Sequence, residues 1–573
     1  MENLPIKFTN KKIGLLIGLN RPRAIVHTTL HGPYATEHMF GWAVSGNITN
    51  TCFSKMTCLR IKTDETNSIL NDQFQKCFAR DFIDDGHVNF CSSVDDISWL
   101  KKVEDSVNIL PNGQFQISLP LRDDIVLPLN YDQAYRRLIN LKNKFVRNSE
   151  YFNEYSAFMD DMLNKDYAEL IPTDKIKPQL SRVWYLTHFS VRHKQKNKLR
   201  IVFDCSLKYN GKSLNDFLLQ GPDLTNSLLG VLLRFREGLY AFSADIQNMF
   251  YRVRVPECDS DLMRFLWYPN NDLSKKPCEY RLKVHVFGAK SSPSCANYAL
   301  RATSNDVSDE CVRTCINSNF YVDDVLKSSN DESELIHIAF GVINTLFDHG
   351  FNLTNFTSSS RSLLNSLPKD KLSKGLKELD ICNDVLPSDK ALGVTWNVQD
   401  DSFSFRVDVS KAANDPNLTK RKILSTLFKI YDPLFVISPI IVTGKRIFQE
   451  ACELTKSWDH EVPESLKTRW HDWLSDLKHL EKLRIPRCFT IASPVNRQLH
   501  VFCDGSMTAY GAVAYIRTLN KTYINCSVIM AKARLTPLNR SSLKTVPRIE
   551  LNPAKLAVQL QQQIANEVST PFD

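Results

Sequence analysis

Two neighbouring carboxylates, Asp323 and Asp324, lie between short apolar runs in Asn319-Phe320-Tyr321-Val322-Asp323-Asp324-Val325-Leu326. Adjacent acids on a hairpin tip repel each other, and a hard divalent cation with oxygen ligands is the usual remedy. The competing reading is a solvated Asp-Asp turn, since Asp suits turns on its own account. A third acid, Asp245, ends the mostly apolar run from Gly238 to Ala244. An acid at the end of a buried strand is costly unless paired or bound to metal. If the two sites meet across a sheet, they can hold two ions about 4 Å apart, the spacing used for in-line displacement at phosphorus.

That convergence sets the demands on the surrounding elements. Phe320-Tyr321 and Val325-Leu326 have strand character, with Val322-Asp323-Asp324 as the tight connection. Ser292-Pro293 opens a segment with Ala296, Tyr298, Ala299 and Leu300, which predicts a helix with proline in its first turn, packed beneath the acid-bearing strands. Between Arg182 and Arg200 stand six basic residues (Arg182, Arg192, Lys194, Lys196, Lys198, Arg200) and no acid. A solvated basic hairpin is one reading. In the other, Lys198 and Arg200 alternate onto one strand face and neutralise a triphosphate, with Arg200 favoured because a guanidinium grips phosphate as a fixed fork.

The order and spacing of several motifs resemble one family. Tyr321-Val322-Asp323-Asp324 resembles the YxDD motif of reverse transcriptases, and Asp245 stands where their first catalytic Asp does. Val286-Phe287-Gly288-Ala289-Lys290-Ser291-Ser292-Pro293 is similar to the segment along the nascent base pair, and Lys198 to Asp204 to the nucleotide-gripping fingers strand. Gly350-Phe351-Asn352-Leu353 and Leu392-Gly393-Val394-Thr395-Trp396 resemble the later palm and primer-grip motifs. Gly41-Trp42-Ala43-Val44-Ser45-Gly46, Tyr431-Asp432-Pro433-Leu434 and Arg548-Ile549-Glu550-Leu551 narrow the resemblance to a Pol polyprotein fragment of BEL/Pao-type LTR retrotransposons.

The resemblance implies an α+β multidomain chain with fingers and a split-βαβ palm, a helical thumb or connection, and a partial RNase H-like domain. It implies RNA-directed DNA polymerase activity with two Mg²⁺ ions, or Mn²⁺, held by Asp245, Asp323 and Asp324. The implied partners are an RNA template, an RNA:DNA hybrid, a primer and deoxynucleoside triphosphates. Lys198, Arg200, Tyr321 and Phe287 then belong to the substrate site. Phe250, five residues after Asp245, takes the place of the aromatic gate that excludes a 2′-hydroxyl; from spacing alone it is equally one more core aromatic. Phe287 stands where retroviral enzymes have Gln, as in several LTR-element lineages. Phe435 replaces the family's usual Gly after Asp-Pro-Leu.

The chain's 573 residues exceed what one core supports, and composition divides them. Residues 1–50 resemble an aspartic-protease remnant: Ile13 to Leu19 and Gly41 to Gly46 are strand-like, but no Asp-Thr/Ser-Gly loop is present. Residues 51–150 read as a connector, with Asp84-Asp85 and Asp95-Asp96 clusters and a hairpin signal at Asn112-Gly113. Helical spacing begins at Tyr131, with Asn130 as N-cap, and resumes from Phe152 to Met162. The resemblance places the fingers and palm in residues 151–415. Residues 416–490 are a helical thumb or connection, with a stripe of Leu466, Trp470, Trp473, Leu477 and Leu480; the family groups this part under a Pao-type peptidase name, yet it holds no catalytic constellation. Residues 491–573 resemble the first half of an RNase H domain, with Glu550 expected to open an Ala- and Leu-containing helix and with Asp504 and Glu550 as two of the domain's metal ligands. The remaining acids are expected beyond Asp573, so RNase H activity is not expected from this sequence.

The 43% apolar content, 24% charged content and net charge of +9 suit a water-soluble protein that can bind nucleic acid, and no apolar run is long enough to span a membrane. Fifteen scattered cysteines without Cys-x-x-Cys suggest reduced, mostly buried thiols in an intracellular protein, cytoplasmic or nuclear or within virus-like particles. Lys11-Lys12 and the apolar run after it imitate a leader, but Asn20-Arg21-Pro22-Arg23 replaces the cleavage site. A second functional class stays open: a degenerate or domesticated element product that binds nucleic acid without polymerising. An unrelated α/β protein with a fortuitous Asp-Asp turn is the third.

Overall fold

The computed structural model describes residues 34–38, 41–45 and 93–572, except 124–126, 173–181, 193–198, 408, 410–416, 456, 492–494, 522 and 537–545. The run Ile13 to Leu19, the Asp84-Asp85 cluster, and Lys194, Lys196 and Lys198 therefore lie outside the described residues. The chain forms two compact units, Met1–Ala79 and Arg80–Asp573. In the first, β1 (Tyr34–His38) and β2 (Gly41–Ser45) form an antiparallel hairpin.

The second unit begins with α1 (Val94–Ser106), started by a Ser93/Asp96 capping box. Next, β3 (Asn108–Ile109) and β4 (Phe115–Gln116) form the hairpin signalled by Asn112-Gly113, with Gly113 at φ +83°. The helical spacing becomes α2 (Tyr131–Arg147) and α3 (Ser149–Asn164). Asn130 stands at the N-cap position of α2 as expected, but its side chain makes no cap bond. Its buried amide instead spans the Tyr185 backbone, donating to the carbonyl and accepting from the N–H, both at 2.8 Å. A buried amide satisfied on both sides outweighs a single cap bond.

Strand β5 (Ala168–Leu170) leads to the hairpin of β6 (Thr187–Arg192) and β7 (Leu199–Asp204). The basic stretch is partly committed to protein carboxylates: Arg182 pairs with Asp259 and Arg192 with Glu154, each at 3.0 Å. Helix α4 (Leu228–Phe235) precedes β8 (Tyr240–Ile246). Strands β9 (Arg264–Trp267) and β10 (Cys278–Leu282) form a sheet with β5 in the order β5-β10-β9. Helix α5 (Ser292–Ala302) carries Pro293 in its first turn and buries Ala296, Ala299 and Leu300, as its spacing predicts.

Helix α6 (Glu310–Ser318), β11 (Phe320–Tyr321), β12 (Asp324–Ser329), α7 (Glu332–Asp348) and β13 (Leu353–Ser358) complete the central layer. Its antiparallel sheet has the order β11-β12-β8-β13, with helices packed against it. Beside it, β14 (Ser388–Ala391), β15 (Val394–Asn397) and β16 (Ser402–Ser404) form a meander. Helices α8 (Lys420–Leu427), α9 (Ser438–Leu454) and α10 (Glu464–Leu477) follow, and Leu466, Trp470, Trp473, Leu477 and Leu480 are all buried as the stripe predicts.

Strand β17 (Ile485–Pro486) joins β16, and β18 (Asn496–Gly505), β19 (Ala509–Leu519) and β20 (Ile524–Leu535) form a separate antiparallel sheet against α11 (Val546–Glu567). The helix starts at Val546, so Glu550 lies inside it and does not open it. Two buried arginines tie this sheet to the central layer. Arg236 donates to the carbonyls of Arg487 and Ile529, while Arg487 grips Asp401 with two bonds of 2.7 Å. Of the eleven cysteines described, only Cys205, Cys295 and Cys315 are buried, so the expectation of mostly buried thiols is corrected; the others, among them Cys311 and Cys452 on helices and Cys503 and Cys526 on strands, take half-buried or outward-facing positions. Among the described residues, no helix is long and apolar enough to cross a membrane.

Candidate active site

Tyr321 and Asp324 face each other at the end of the β11–β12 hairpin, leaving Val322 and Asp323 as a two-residue turn. Val322 has φ +55°, a conformation that a β-branched residue avoids. Such strain costs about 1–3 kcal/mol and persists where the surroundings impose it. Here the bond from Ile246 N to Asp323 O, at 2.8 Å, ties the turn to the end of β8.

The same pairing places Asp324 opposite Asp245. Directly opposed residues of an antiparallel pair point to one face with Cβ atoms about 5 Å apart. The three acids singled out from sequence thus meet at one sheet end, and all three are half-buried. Burial pushes the Asp324 carboxyl up to about 7, reinforced by the charges of Asp323, Asp245 and Asp389. Burial also raises Asp323, against the opposing pull of its own backbone N–H and the Arg200 guanidinium.

Two neighbours of this trio carried no sequence signal. Asn355 donates from Nδ2 to Asp245 Oδ1 at 2.6 Å. It sits at φ +56° within the register shift between Thr354 and Thr357 on β13, and a bulge of this kind re-aims a side chain. Asp389 arrives from β14 and accepts Thr357 Oγ1 at 2.5 Å. Among the described residues, no three Asp, Glu, His or Cys side chains form a ready-made metal cage. Asp245, Asp323 and Asp324 are nevertheless the oxygen donors available to a hard cation, and Mg²⁺ is commonly held by one or two carboxylates with water and phosphate completing its shell.

Arg200 is exposed on β7 and close enough to Asp323 to act on its charge. Phe250 follows Asn248, which has φ +54°, and is only 8% exposed. Its ring lies 4.4 Å from that of Phe287, which is 47% exposed, so the two phenyls form one apolar wall. Asn215 fixes the loop carrying Phe287, donating to Gly288 O at 2.9 Å and accepting from Lys290 N at 3.0 Å. Gly288, at φ +112°, passes so close to β7 that a Cβ would lie 2.4 Å from Phe203 O. Tyr321 is half-buried, and the Tyr431 phenol is raised by burial and then by the charge of Tyr321.

The two C-terminal acids stand near the end of β18 and within α11. Asp504 and Glu550 are both exposed. The end of β18 abuts the first turns of α11, where a Cβ on Gly505 would lie 2.7 Å from Ile549 O.

Residues 419–573 match the family model described as Pao retrotransposon-like RNaseH-like domain. This is the retrotransposon family to which the sequence motifs pointed, and the match runs through both α8–α10 and the β18–β20 sheet. No curated protein matches the chain. Among solved structures, a foamy viral protease-reverse transcriptase in complex with double-stranded DNA, in a form designated dRH, is similar at 15% identity and TM-score 0.47 over 72% of this chain and 60% of that one. A foamy viral protease-reverse transcriptase with an RNA/DNA hybrid is similar at 14% identity and TM-score 0.43 over 74% and 47%. Another complex with double-stranded DNA is similar at 15% identity and TM-score 0.46 over 72% of each. The chain thus spans about 60% of the length of the first of these proteins.

Proposed function

We propose that the chain is the reverse-transcriptase part of a BEL/Pao-type LTR retrotransposon Pol protein, an RNA-directed DNA polymerase. The observation that carries this reading is the register of β12 on β8, which brings Asp324 opposite Asp245 with Asp323 on the adjoining turn. Three acids crowded at one sheet end, with one carboxyl pushed up to about 7, form a site that gains from a cation.

Asp245, Asp323 and Asp324 would hold two Mg²⁺ ions, which when bound supply charge neutralisation for attack of a primer 3′-hydroxyl on the α-phosphorus of a deoxynucleoside triphosphate. The protein's own contribution is positioning and electrostatics. Arg200 offers a guanidinium to the triphosphate from the Asp323 side, and Lys198, two residues earlier in the sequence, would add a second cation. Phe250, braced by Phe287, closes the space beneath the sugar against a 2′-hydroxyl. Template and RNA:DNA hybrid would be held chiefly through the phosphate backbone, so binding should weaken steeply with salt.

Primer extension by the purified chain on a homopolymer RNA template, with Mg²⁺ or Mn²⁺, tests the reading. Templated DNA synthesis is expected. Hybrid binding with no synthesis in either metal would place the protein instead with the non-polymerising, domesticated element products.

A further inference from the structure

The segment Tyr431-Asp432-Pro433-Leu434-Phe435 has no part in the chemistry described so far, yet it is tightly built. Asp432 is buried, and its carboxylate accepts Val436 N at 3.2 Å and Ile437 N at 2.9 Å. Its carbonyl accepts Phe435 N at 3.1 Å. Phe435 takes φ +56°, the left-handed conformation that glycine adopts freely, which accounts for the turn geometry at this position. A turn so closed fixes the directions of the residues it carries.

Two of those residues make contacts in different parts of the fold. Leu434 enters the core, and its carbonyl accepts Ala531 N of β20 at 3.0 Å. Tyr431 donates from Oη to Leu392 O at 2.9 Å, and its ring lies against Gly393, where a Cβ would sit 2.8 Å from Tyr431 Cε1. Leu392 and Gly393 are the two turn residues of the β14–β15 hairpin, at φ +46° and +88°. Leucine resists this conformation, so the turn needs something to hold it. The Tyr431 phenol is positioned to do so.

The hairpin approaches the acidic trio from a definite side. Asp389 of β14 accepts Thr357 Oγ1 of β13, the strand that flanks β8 on the side away from β12, whereas β7, which carries Arg200, lies against Gly288 in the loop whose Phe287 ring meets Phe250. The strand bearing the attacking hydroxyl must arrive opposite the triphosphate, hence on the β14–β15 side. Tyr431, still 47% exposed and bonded to the turn of that hairpin, stands there.

We propose that Tyr431 is a positioning residue for the primer 3′ end, holding the Leu392–Gly393 turn at the level on which the last primer nucleotides rest. The polymerase site would then borrow a residue from the segment matched by the RNaseH-like family model. The proposal rests on the polymerase reading of the acidic trio.

The test compares the full chain with Tyr431→Phe, which keeps the ring and removes the 2.9 Å bond. Single-turnover extension is followed on an RNA template, together with the fluorescence of 2-aminopurine at the primer 3′ terminus in the complex without nucleotide, and the melting temperature. The variant should extend about 10-fold more slowly, corresponding to about 1.4 kcal/mol, with unchanged dNTP half-saturation, hybrid affinity and melting temperature. Its terminal 2-aminopurine should brighten as the base loosens. Wild-type rate and fluorescence in the variant would overturn the proposal, as would a slower rate with unchanged terminal fluorescence or a lowered melting temperature. If the wild-type chain itself never extends a primer, the polymerase reading falls. The terminal fluorescence then decides separately whether Tyr431 holds a strand end.

Discussion

Asp324 of β12 stands directly opposite Asp245 of β8, so two acids 79 positions apart share one face at the end of the central sheet. Like charges in that relation destabilise a sheet, and the fold tolerates them only at a cost.

That cost predicts a pH dependence. The Asp324 carboxyl is raised in the folded chain to about 7, above its ordinary value near 3.8, so the folded state binds more protons between those limits. Stability should therefore fall as pH rises from about 4 to 7, by on the order of a few kcal/mol before solvent screening reduces it. Asp324→Asn should melt higher than wild type at pH 8 without divalent cations, and the difference should shrink toward pH 4. Added Mg²⁺ should raise the wild-type melting temperature more at pH 8 than at pH 5.5. Thermal melts across this range check both statements, and a wild-type profile flat from pH 4 to 8 would contradict them.

Asn355 is predicted to orient Asp245. Asn355→Gly preserves the left-handed backbone of the bulge and removes the 2.6 Å bond. The Mg²⁺ concentration needed for half-maximal extension should rise about 10- to 100-fold, the usual loss when an orienting neighbour of a metal ligand is removed. A metal titration of the extension rate reads this directly, and an unshifted midpoint would count against the role.

Phe250 and Phe287 are predicted to act as one barrier. Phe250→Ala should lower the preference for deoxynucleotides over ribonucleotides by about 10- to 100-fold, equivalent to a few kcal/mol of lost steric exclusion. Phe287→Ala should lower it less, because only the brace is removed. The ratio of kcat/KM for paired dNTP and rNTP measures both, and equal ratios in wild type and Phe250→Ala would show that Phe250 is simply core.

What was legible in the sequence follows from the range of each signal. Asp245 and the Tyr321-Val322-Asp323-Asp324 turn could be read because an acid closing an apolar strand, and paired acids between two strands, are local patterns. The β3–β4 hairpin and the Trp470 stripe were legible for the same reason. Asn355 and Asp389 were not, since one reaches the site through a bulge and the other through a separate hairpin. Asn130 takes the N-cap position that its type signals, but its side chain is claimed by Tyr185, 55 residues away, which no local pattern announces. Glu550 was placed at a helix start because Pro547 and Pro553 obscured a helix that begins at Val546. Cysteine exposure failed as an expectation because composition carries no information on which face of a helix or strand a side chain takes.

The most direct measurement compares wild type with Asp323→Asn in primer extension and in hybrid binding. Asp323 lies on the turn that β8 holds in place, and the substitution removes a charge without changing shape. Extension should fall by about 1,000-fold or more, equivalent to about 4 kcal/mol of transition-state stabilisation, while hybrid affinity stays close to wild type. Near-normal extension by Asp323→Asn would contradict the assignment of the acidic trio, and with it the polymerase reading.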